Sequence, residues 1–246
     1  MTTLPRLAII VPALNEEGNI AALVEEVRDA AAVLAGVTVD GIYVVDNGST
    51  DATAQVAASA GAIVVDEPVR GYGRACLSGA IAAGDADLLL FMDGDRSEVP
   101  SEMPRLLAPI LAGEADLVVG SRVRGSAEKG ALTVPQRWGN RVAAWMFFLI
   151  YRVRVTDLGP YRAIRRCHLL GLGMQELTYG WPSEMIARSA RAGLRFMEVP
   201  VSCRRRRAGA SKVSGNLKAV VLTGWRILNV VLGSRWVEVP KARDIP

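Results

Sequence analysis

Residues 88–95 read LLLFMDGD, five apolar residues followed at once by two carboxylates that flank a glycine. A continuous apolar run of this length is typical of a strand that is buried on both faces of a parallel sheet. Ligands of such sheets bind beyond the carboxyl ends of the strands. The stretch therefore predicts a buried strand that delivers Asp93 and Asp95 to the binding edge of an α/β fold.

Short apolar runs recur on both sides of this strand and alternate with alanine-rich segments of helical character. The alternation indicates repeated βαβ units and a mostly parallel central sheet flanked by helices. Residues 120–135, rich in Gly, Arg, Ser and Lys, are expected to form a mobile loop over the site. The expected strands are 7–11, 41–45, 62–65, 87–92, 116–119 and 195–202. The expected helices are 19–34, 52–60, one from near 101, 136–151, 182–192 and 215–232.

The composition fits one globular unit. Half of the 246 residues are hydrophobic and 22% are charged, so we expect a single domain over residues 1–246. The three cysteines, Cys76, Cys167 and Cys203, are widely spaced and odd in number, which argues against a disulfide framework or zinc cluster and favours a reducing cytoplasm. Residues 7–14 predict a strand rather than a signal peptide. No uncharged apolar stretch approaches the roughly 18 residues of a membrane-spanning helix.

The charge balance points to an anionic partner. The formal net charge is +4 and the isoelectric point is near 9.2, values that fit nucleic acid, phosphates or an acidic lipid surface. Nucleic acid is disfavoured, because no recognised binding motif accompanies the charge and no aromatic residues interleave with it. The sequence therefore favours a phosphate-bearing ligand or an acidic lipid surface.

Asp93 and Asp95 have two interpretations. Asp and Gly also end strands for reasons of turn geometry alone. However, Mg²⁺ and Mn²⁺ take hard oxygen ligands and are commonly shared between one or two carboxylates and substrate phosphates. Two further strands end in polar turns, at Asn15-Glu16 and at Asp46. Three neighbouring strand ends that present polar groups on one edge favour a metal and diphosphate site over a simple turn.

The chain resembles glycosyltransferase family 2, and within it the polyprenyl- or dolichyl-phosphate sugar synthases. The matching elements, which cover almost the whole chain, are in order Pro12-x-x-Asn15-Glu16, Asp46-x-Gly48-Ser49-x-Asp51, Gly71-x-Gly73, Asp93-x-Asp95, Gly120-Ser121-Arg122 and Arg206-x-x-Gly209-x-Ser211-Lys212. Their order and spacing are more specific than any single motif. The resemblance implies the Rossmann-like GT-A fold with C-terminal amphipathic helices. About residues 1–120 would bind the nucleotide, and about 121–246 would bind the acceptor and supply membrane-facing helices.

The resemblance also implies residue roles. Asp93 and Asp95 would hold Mg²⁺ or Mn²⁺ with the diphosphate of a UDP- or GDP-linked sugar, and Arg206 would contact the donor phosphates. Ser97 stands where relatives often carry a glutamine that ligates the metal, so no third protein ligand is assigned. The implied nucleotide-binding residues are Pro12, Asn15, Glu16, Asp46, Gly71, Gly73 and Arg74. The implied acceptor-binding residues are Arg122, Arg137, Asp157, Ser211 and Lys212.

The expected reaction is an inverting single displacement, in which the oxygen of a polyprenyl phosphate attacks the anomeric carbon. A phosphate monoester, with a second pKa of about 6, needs no base at neutral pH, and arginine suits its recognition. The one histidine, His168, gives little support for a histidine base. One alternative is transfer to a hydroxyl of a saccharide or small molecule, with Asp157 or Glu184 as base. Another is a non-catalytic subunit that binds nucleotide sugars.

Two segments bear on a lipid acceptor. Residues 142–151, VAAWMFFLIY, are apolar and lie between Arg141 and Arg152, and residues 217–232 are amphipathic as a helix. Both suit a bilayer interface, and both equally suit a core or a dimer contact. Tryptophans favour the interface, so we expect a cytoplasmic protein, peripheral on the inner face of the membrane. A membrane partner protein and a homo-oligomer stay open. The tryptophans concerned are Trp138, Trp145, Trp225 and Trp236.

Overall fold

One sheet of seven strands crosses the part of the chain that the computed structural model describes, which is residues 3–131, 134–207 and 217–242, without the side chains of 134–137 and 217–224. The strands are β1 (Arg6–Ala13), β2 (Thr38–Asp46), β3 (Ile63–Asp66), β4 (Leu88–Phe91), β5 (Leu117–Ala127), β6 (Arg162–Arg165) and β7 (Phe196–Cys203). Their spatial order is β3-β2-β1-β4-β6-β5-β7. Neighbours are parallel except where β6 pairs with β4 and β5. The predicted α/β fold with a mostly parallel sheet is confirmed.

Helices cover both faces of the sheet. They are α1 (Glu17–Ala32), α2 (Thr53–Ser59), α3 (Tyr72–Ala82), α4 (Met103–Leu111), α5 (Val134–Tyr151), α6 (Arg166–Gly171), α7 (Trp181–Ala192) and α8 (Leu217–Gly233). Within β1, Leu7, Ile9 and Val11 pack on the side of α1, α2 and α4, whereas Ala8 and Ile10 pack on the side of α3, α5 and α7. Since successive strand residues point to opposite faces, a strand covered on both sides must be apolar throughout. This requirement explains the unbroken apolar run that precedes Asp93.

The expected loop over residues 120–135 is wrong in its first half, because β5 continues through Ala127. Its outer part pairs with β7, where Ser126 lies opposite Ser202 and Ala127 opposite Cys203. A Cβ added at Gly125 would meet the backbone oxygen of Val201 at 2.1 Å, so the glycine permits the close approach of the two strands. The polar composition suggested a loop because most of residues 122–127 are exposed.

The short strand β6 was not predicted. It reads Arg-Ala-Ile-Arg, and it lies between β4 and β5 as the antiparallel strand of the sheet. Arg162 is fully buried and donates from Nη1 to the carbonyl of Pro182 at 3.0 Å. A strand of four residues that begins and ends with arginine gives no apolar signal, so only its sheet partners identify it.

Two expectations concern membranes and cysteines. No helix in the described ranges combines the length and apolar character that crossing a bilayer requires. Cys76, Cys167 and Cys203 are all free thiols, as the absence of a disulfide pattern predicts.

Gly73, in the first turn of α3, lies against the loop of residues 176–178. Its backbone N–H donates to the carbonyl of Thr178 at 3.3 Å, and an added Cβ would lie 2.4 Å from the oxygen of Glu176 and 2.7 Å from Cδ1 of Trp181. This close packing gives a structural reason for the second glycine of Gly71-x-Gly73.

We therefore expect Gly73→Ala to lower the free energy of unfolding by about 1–3 kcal/mol, because the backbone neighbours have to shift. Urea denaturation measures the change. Gly139→Ala in α5, where no atom lies within 4 Å of an added Cβ, is the matched control and should not be destabilised. Equal stability of Gly73→Ala and the unmodified protein would contradict the close packing.

Candidate active site

A cavity of about 790 Å³ opens at the carboxyl ends of the central strands. Its walls come from the turn after β1, the segment after β4, the middle of β5 and the residues after β7. The lining includes Pro12, Glu16, Asn47, Arg70, Gly71, Asp93, Asp95, Arg122, Thr178, Tyr179 and Arg206. Polar side chains predicted from separate motifs thus share one cavity.

Asp93 and Asp95 lie at the bottom of this cavity. The Oδ1 atom of Asp93 is buried and has no hydrogen-bond partner within the described residues. Burial, and then the charge of Asp95, raise the pKa of Asp93 to about 7. Asp95 accepts the Ser97 backbone N–H on Oδ1 at 3.0 Å. A buried carboxylate oxygen without a hydrogen-bond partner fits the ligand of a cation, whose charge would favour the ionised form of Asp93.

The donor set fits a divalent metal ion that is only partly held by protein. Carboxylate oxygens are the ligands that Mg²⁺ and Mn²⁺ prefer. The described residues contain no cluster of three or more His, Cys, Asp or Glu placed to hold a metal. Ser97, the residue at the position of the missing glutamine, donates its hydroxyl to Glu98 at 3.1 Å. The remaining ligands would therefore come from a diphosphate and water.

Glu98 is a site residue that the sequence did not reveal. It is 3% exposed, and its Oε2 accepts the backbone N–H of Asp93 at 3.2 Å. Burial, followed by the charges of Asp93 and Asp95, raises its pKa well above the usual range. Its only signal was proximity to the acidic triplet, so its function of holding the Asp93 backbone emerges from the fold.

Arg206 and Glu16 meet across the cavity although 190 positions separate them in sequence. The Nη1 atom of Arg206 lies 2.8 and 3.0 Å from the two carboxylate oxygens of Glu16. Its Nη2 atom lies 3.2 Å from Oδ2 of Asp95. The structure thus brings together three residues that were predicted from three different motifs.

The other predicted nucleotide residues divide into two groups. Pro12 and Gly71 line the cavity. Asn15 and Asp46 are not among its lining residues and instead fix turns: Asn15 Oδ1 accepts the Thr50 N–H at 2.8 Å, and Asp46 Oδ1 accepts the Ser49 N–H at 3.1 Å. Their contact with a nucleotide stays a prediction.

Arg74 also lies away from the cavity wall. Its backbone N–H donates to the carbonyl of Leu177 at 3.0 Å, beside the contact that Gly73 makes with the same loop. Gly73 and Arg74 are not among the residues that line the cavity, and their contact with a nucleotide stays a prediction.

Asn47 and Arg70 line the cavity but were not predicted. Asn47 accepts the Gly71 N–H on Oδ1 at 2.7 Å and donates from Nδ2 to the carbonyls of Glu67 and Val69 at 3.1 and 2.8 Å. It therefore holds the turn that carries Arg70 to the cavity. The sequence signal was present, since Asn47 directly follows Asp46, but nothing in the motif distinguished the two.

Among the residues predicted to bind an acceptor, Arg122 is held by Asp157. The Nε and Nη2 atoms of Arg122 donate to the two Asp157 oxygens at 2.7 and 2.8 Å, and its backbone N–H donates at 2.9 Å. Asn140 of α5 adds a hydrogen bond to Asp157 at 2.7 Å. Burial would raise the pKa of Asp157, but the charge and hydrogen bonds of Arg122 hold it below its usual range. Asp157 is thus an ionised anchor for Arg122.

Glu198 of β7 supports the same assembly from below. Its Oε1 accepts the backbone N–H groups of Thr156 and Asp157 at 2.8 and 3.1 Å, and its Oε2 accepts the Thr156 hydroxyl at 2.8 Å. Glu198 was not predicted, because it sits alone in an apolar strand.

The second candidate base, Glu184, is engaged in structural contacts. It is 3% exposed, it accepts Nε of Arg188 at 2.7 Å, and it accepts the backbone N–H groups of Gln175 and Glu176. These contacts give Glu184 a structural role, since it fixes the loop that precedes α7. Ser211, Lys212 and the side chain of Arg137 lie outside the described residues, so their predicted acceptor contacts stay predictions.

Comparisons with known proteins agree with this geometry. A family model described as Glycosyl transferase family 2 matches residues 8–170. An uncharacterized glycosyltransferase of Mycobacterium tuberculosis is 38% identical over 228 residues, which is 91% of this chain and 98% of that protein. An undecaprenyl-phosphate mannosyltransferase of Micrococcus luteus is 31% identical over 94% of this chain and 96% of its own length.

The fold also matches solved structures. The glucosyl-3-phosphoglycerate synthase of Mycobacterium tuberculosis, solved with Mn²⁺, UDP and glucosyl-3-phosphoglycerate, superposes with a TM-score of 0.73 at 24% identity, over 95% of this chain and 81% of that one. At this level of identity the match shows a shared fold.

The pKa of Asp93 makes the metal-free protein sensitive to pH. Because the folded value is about 7 against an ordinary 3.8, the folded chain binds the extra proton between these values, and stability falls as pH rises from about 4 to 7. We expect Asp93→Asn to reduce this dependence by up to about 4 kcal/mol, while Glu98, whose pKa is also raised, retains a part with the same sign. Urea unfolding in EDTA at several pH values measures it, and parallel profiles for the two proteins would refute the assignment.

Proposed function

The chain belongs to glycosyl transferase family 2, and from this premise we propose that it moves a sugar, with inversion, from a UDP- or GDP-linked donor to a polyprenyl-phosphate-type lipid. Mg²⁺ or Mn²⁺ is the proposed cofactor. The chain is a glycosyltransferase by family. The identity of the acceptor, the use of the metal and the roles of the residues go beyond what membership of the family establishes.

The observation that carries the proposal is the state of the carboxylates on the acceptor side. Asp157 is fully buried and neutralised by Arg122 at 2.7 Å, and Glu184 is buried with Arg188 at 2.7 Å. Neither is free to take a proton from a hydroxyl acceptor. Arg122, in contrast, lines the cavity as a fixed cation. This arrangement suits an acceptor that arrives already ionised, as a phosphate does.

The chain's own residues would then act by positioning and charge. Arg122 holds the acceptor phosphate, and one phosphate oxygen attacks the anomeric carbon while the bond to the nucleotide diphosphate breaks. When bound by Asp93 and Asp95, the metal ion neutralises the departing diphosphate. Arg206 adds a second positive charge at the same place. No protein group has to accept a proton in this scheme.

A second candidate acceptor is a hydroxyl of a small phosphorylated molecule. The similar solved structure is of a synthase whose product is glucosyl-3-phosphoglycerate, and Arg122 is equally suited to the phosphate of such a molecule. The lipid acceptor is favoured by the Micrococcus luteus relative, whose name specifies undecaprenyl phosphate, and by the surface of α5.

One face of α5 is apolar and exposed. Trp138 and Trp145 are 63% and 64% exposed. Further exposed apolar residues follow at spacings of three or four positions, which places them on the same side of the helix. Arg141 lies over the ring of Trp138 at 5.8 Å. The further exposed residues of this face are Val142, Phe148 and Leu149.

The helix α8 packs against α5 and also exposes apolar side chains. The Tyr151 hydroxyl of α5 donates to the carbonyl of Val231, which joins the two helices, and Trp225, Leu232 and Trp236 are exposed nearby in sequence. Residues 129–156 and 199–237 contain no Asp or Glu and many Arg and Lys. Exposed tryptophans with cations and without anions suit an anionic bilayer surface. We propose that α5 and α8 hold the enzyme peripherally on the membrane.

A transfer assay tests the reaction. Labelled UDP- and GDP-sugars are incubated with a short polyprenyl phosphate, with phosphoglycerate or with unphosphorylated sugars. We expect a labelled product that partitions into organic solvent, that needs Mg²⁺ or Mn²⁺, and that Asp95→Asn abolishes. Asp85→Asn, which changes an exposed side chain, is the control and should retain activity.

Other outcomes of this assay would contradict the proposal. A water-soluble product made only from phosphoglycerate would favour the second candidate. Nucleotide binding without transfer to any acceptor would favour a non-catalytic subunit, and full activity of Asp95→Asn would refute the metal site.

A vesicle assay tests the surface separately. We expect cosedimentation with vesicles of phosphatidylcholine and phosphatidylglycerol, weakened by salt. Replacing Trp138 and Trp145 together by Ser should lower the affinity at least about tenfold, because two buried rings are lost. Ile81→Ser, at a 59% exposed site on α3, is the control. Absence of vesicle binding together with a dimer in light scattering would show that this face binds a second copy instead.

A further inference from the structure

Both carboxylate oxygens of Asp95 already have partners. Oδ1 accepts the Ser97 backbone N–H at 3.0 Å, and Oδ2 lies 3.2 Å from Nη2 of Arg206. The other end of the same guanidinium contacts both oxygens of Glu16. Arg206 thus contacts Oδ2 of Asp95, an oxygen that would otherwise be available as a metal ligand.

The reason lies in the concentration of negative charge. Glu16, Asp93, Asp95 and Glu98 lie around the ends of β1 and β4, and Glu16 and Glu98 are 5% and 3% exposed. Carboxylates this close and this buried do not all stay ionised without a cation. Arg122 pairs with Asp157, and among the described residues Arg206 bridges Glu16 and Asp95.

We infer that the site takes the nucleotide diphosphate and its divalent ion as one complex, because Arg206 holds Asp95 until a diphosphate draws the guanidinium away. The inference rests on the proposed function, and it adds the form in which the donor binds.

A free metal ion is disfavoured by two effects. It has to displace Arg206 from Asp95, and it then lies next to a guanidinium of like charge. A diphosphate removes both difficulties, since its oxygens ligate the metal and also accept the forked N–H groups of arginine. Metal and nucleotide must therefore raise each other's affinity by the same factor.

The basic run after β7 supplies a matched control. Arg207 pairs at 3.5 Å with Glu128, both of them well exposed, and it is not among the residues that line the cavity. Arg207→Gln removes the same charge as Arg206→Gln, one position along the chain, without touching Asp95.

The experiment measures Mn²⁺ binding by electron paramagnetic resonance and calorimetry, with and without UDP or GDP. In the unmodified protein and in Arg207→Gln, we expect weak binding of Mn²⁺ alone and a gain of about tenfold or more with the nucleotide. Arg206→Gln should bind Mn²⁺ alone several-fold more tightly, and the gain should become several-fold smaller, because only the coupling through direct ligation of the metal by the diphosphate remains. Arg206→Lys, which keeps the charge but not the fork, should lie between them.

Equal binding of Mn²⁺ alone by Arg206→Gln and the unmodified protein, with an unchanged gain from nucleotide, would overturn the inference while leaving the proposed reaction intact. Thermal unfolding confirms that each variant is folded. If the folded, unmodified protein binds no Mn²⁺ even with nucleotide, the metal assignment in the proposed function fails, and this inference fails with it.

Discussion

The carboxylates that follow β4 stand at the end of a strand that is buried on both faces, and their charge has to be balanced by cations from other parts of the chain. The burial raises the pKa of Asp93 to about 7 and leaves its Oδ1 without a partner among the described residues. Arg206 reaches this point from the segment after β7. The segments that follow the first and last strands of the chain thus meet at one cavity through this ion pair.

Around Arg122 the charges are reversed, because here a cation at the cavity is balanced by a buried anion. The cation Arg122 is held by the buried anion Asp157, and Glu198 fixes the loop that carries Asp157. A guanidinium with two N–H groups bound to a carboxylate keeps other N–H groups for a ligand. The fixed geometry favours catalysis by charge and position, since the two candidate bases, Asp157 and Glu184, are engaged in ion pairs.

The helix α5 lies between the pair Arg122–Asp157 and an exposed apolar surface. The inner side of this helix supplies Asn140 to Asp157, whereas its outer side exposes Trp138 and Trp145. The proposed membrane contact on the outer side of α5, together with the support of Arg122 from its inner side through Asp157, would place the cavity close to a lipid headgroup.

The sequence by itself determined the strand before Asp93, the polar ends of its neighbours and the family, because hydrophobic periodicity and motif spacing are local properties. It did not reveal β6, because a strand of four residues that begins and ends with arginine has no apolar pattern. It also did not reveal the continuation of β5 beyond Gly120. Only the tertiary structure paired Asp157 with Arg122 and brought Glu98 to the backbone of Asp93. It also showed that the backbone N–H groups of Gly73 and Arg74 bind the loop of residues 176–178. These relations depend on which buried charges and backbones come together, and long-range contacts of this kind leave no periodic trace in the chain.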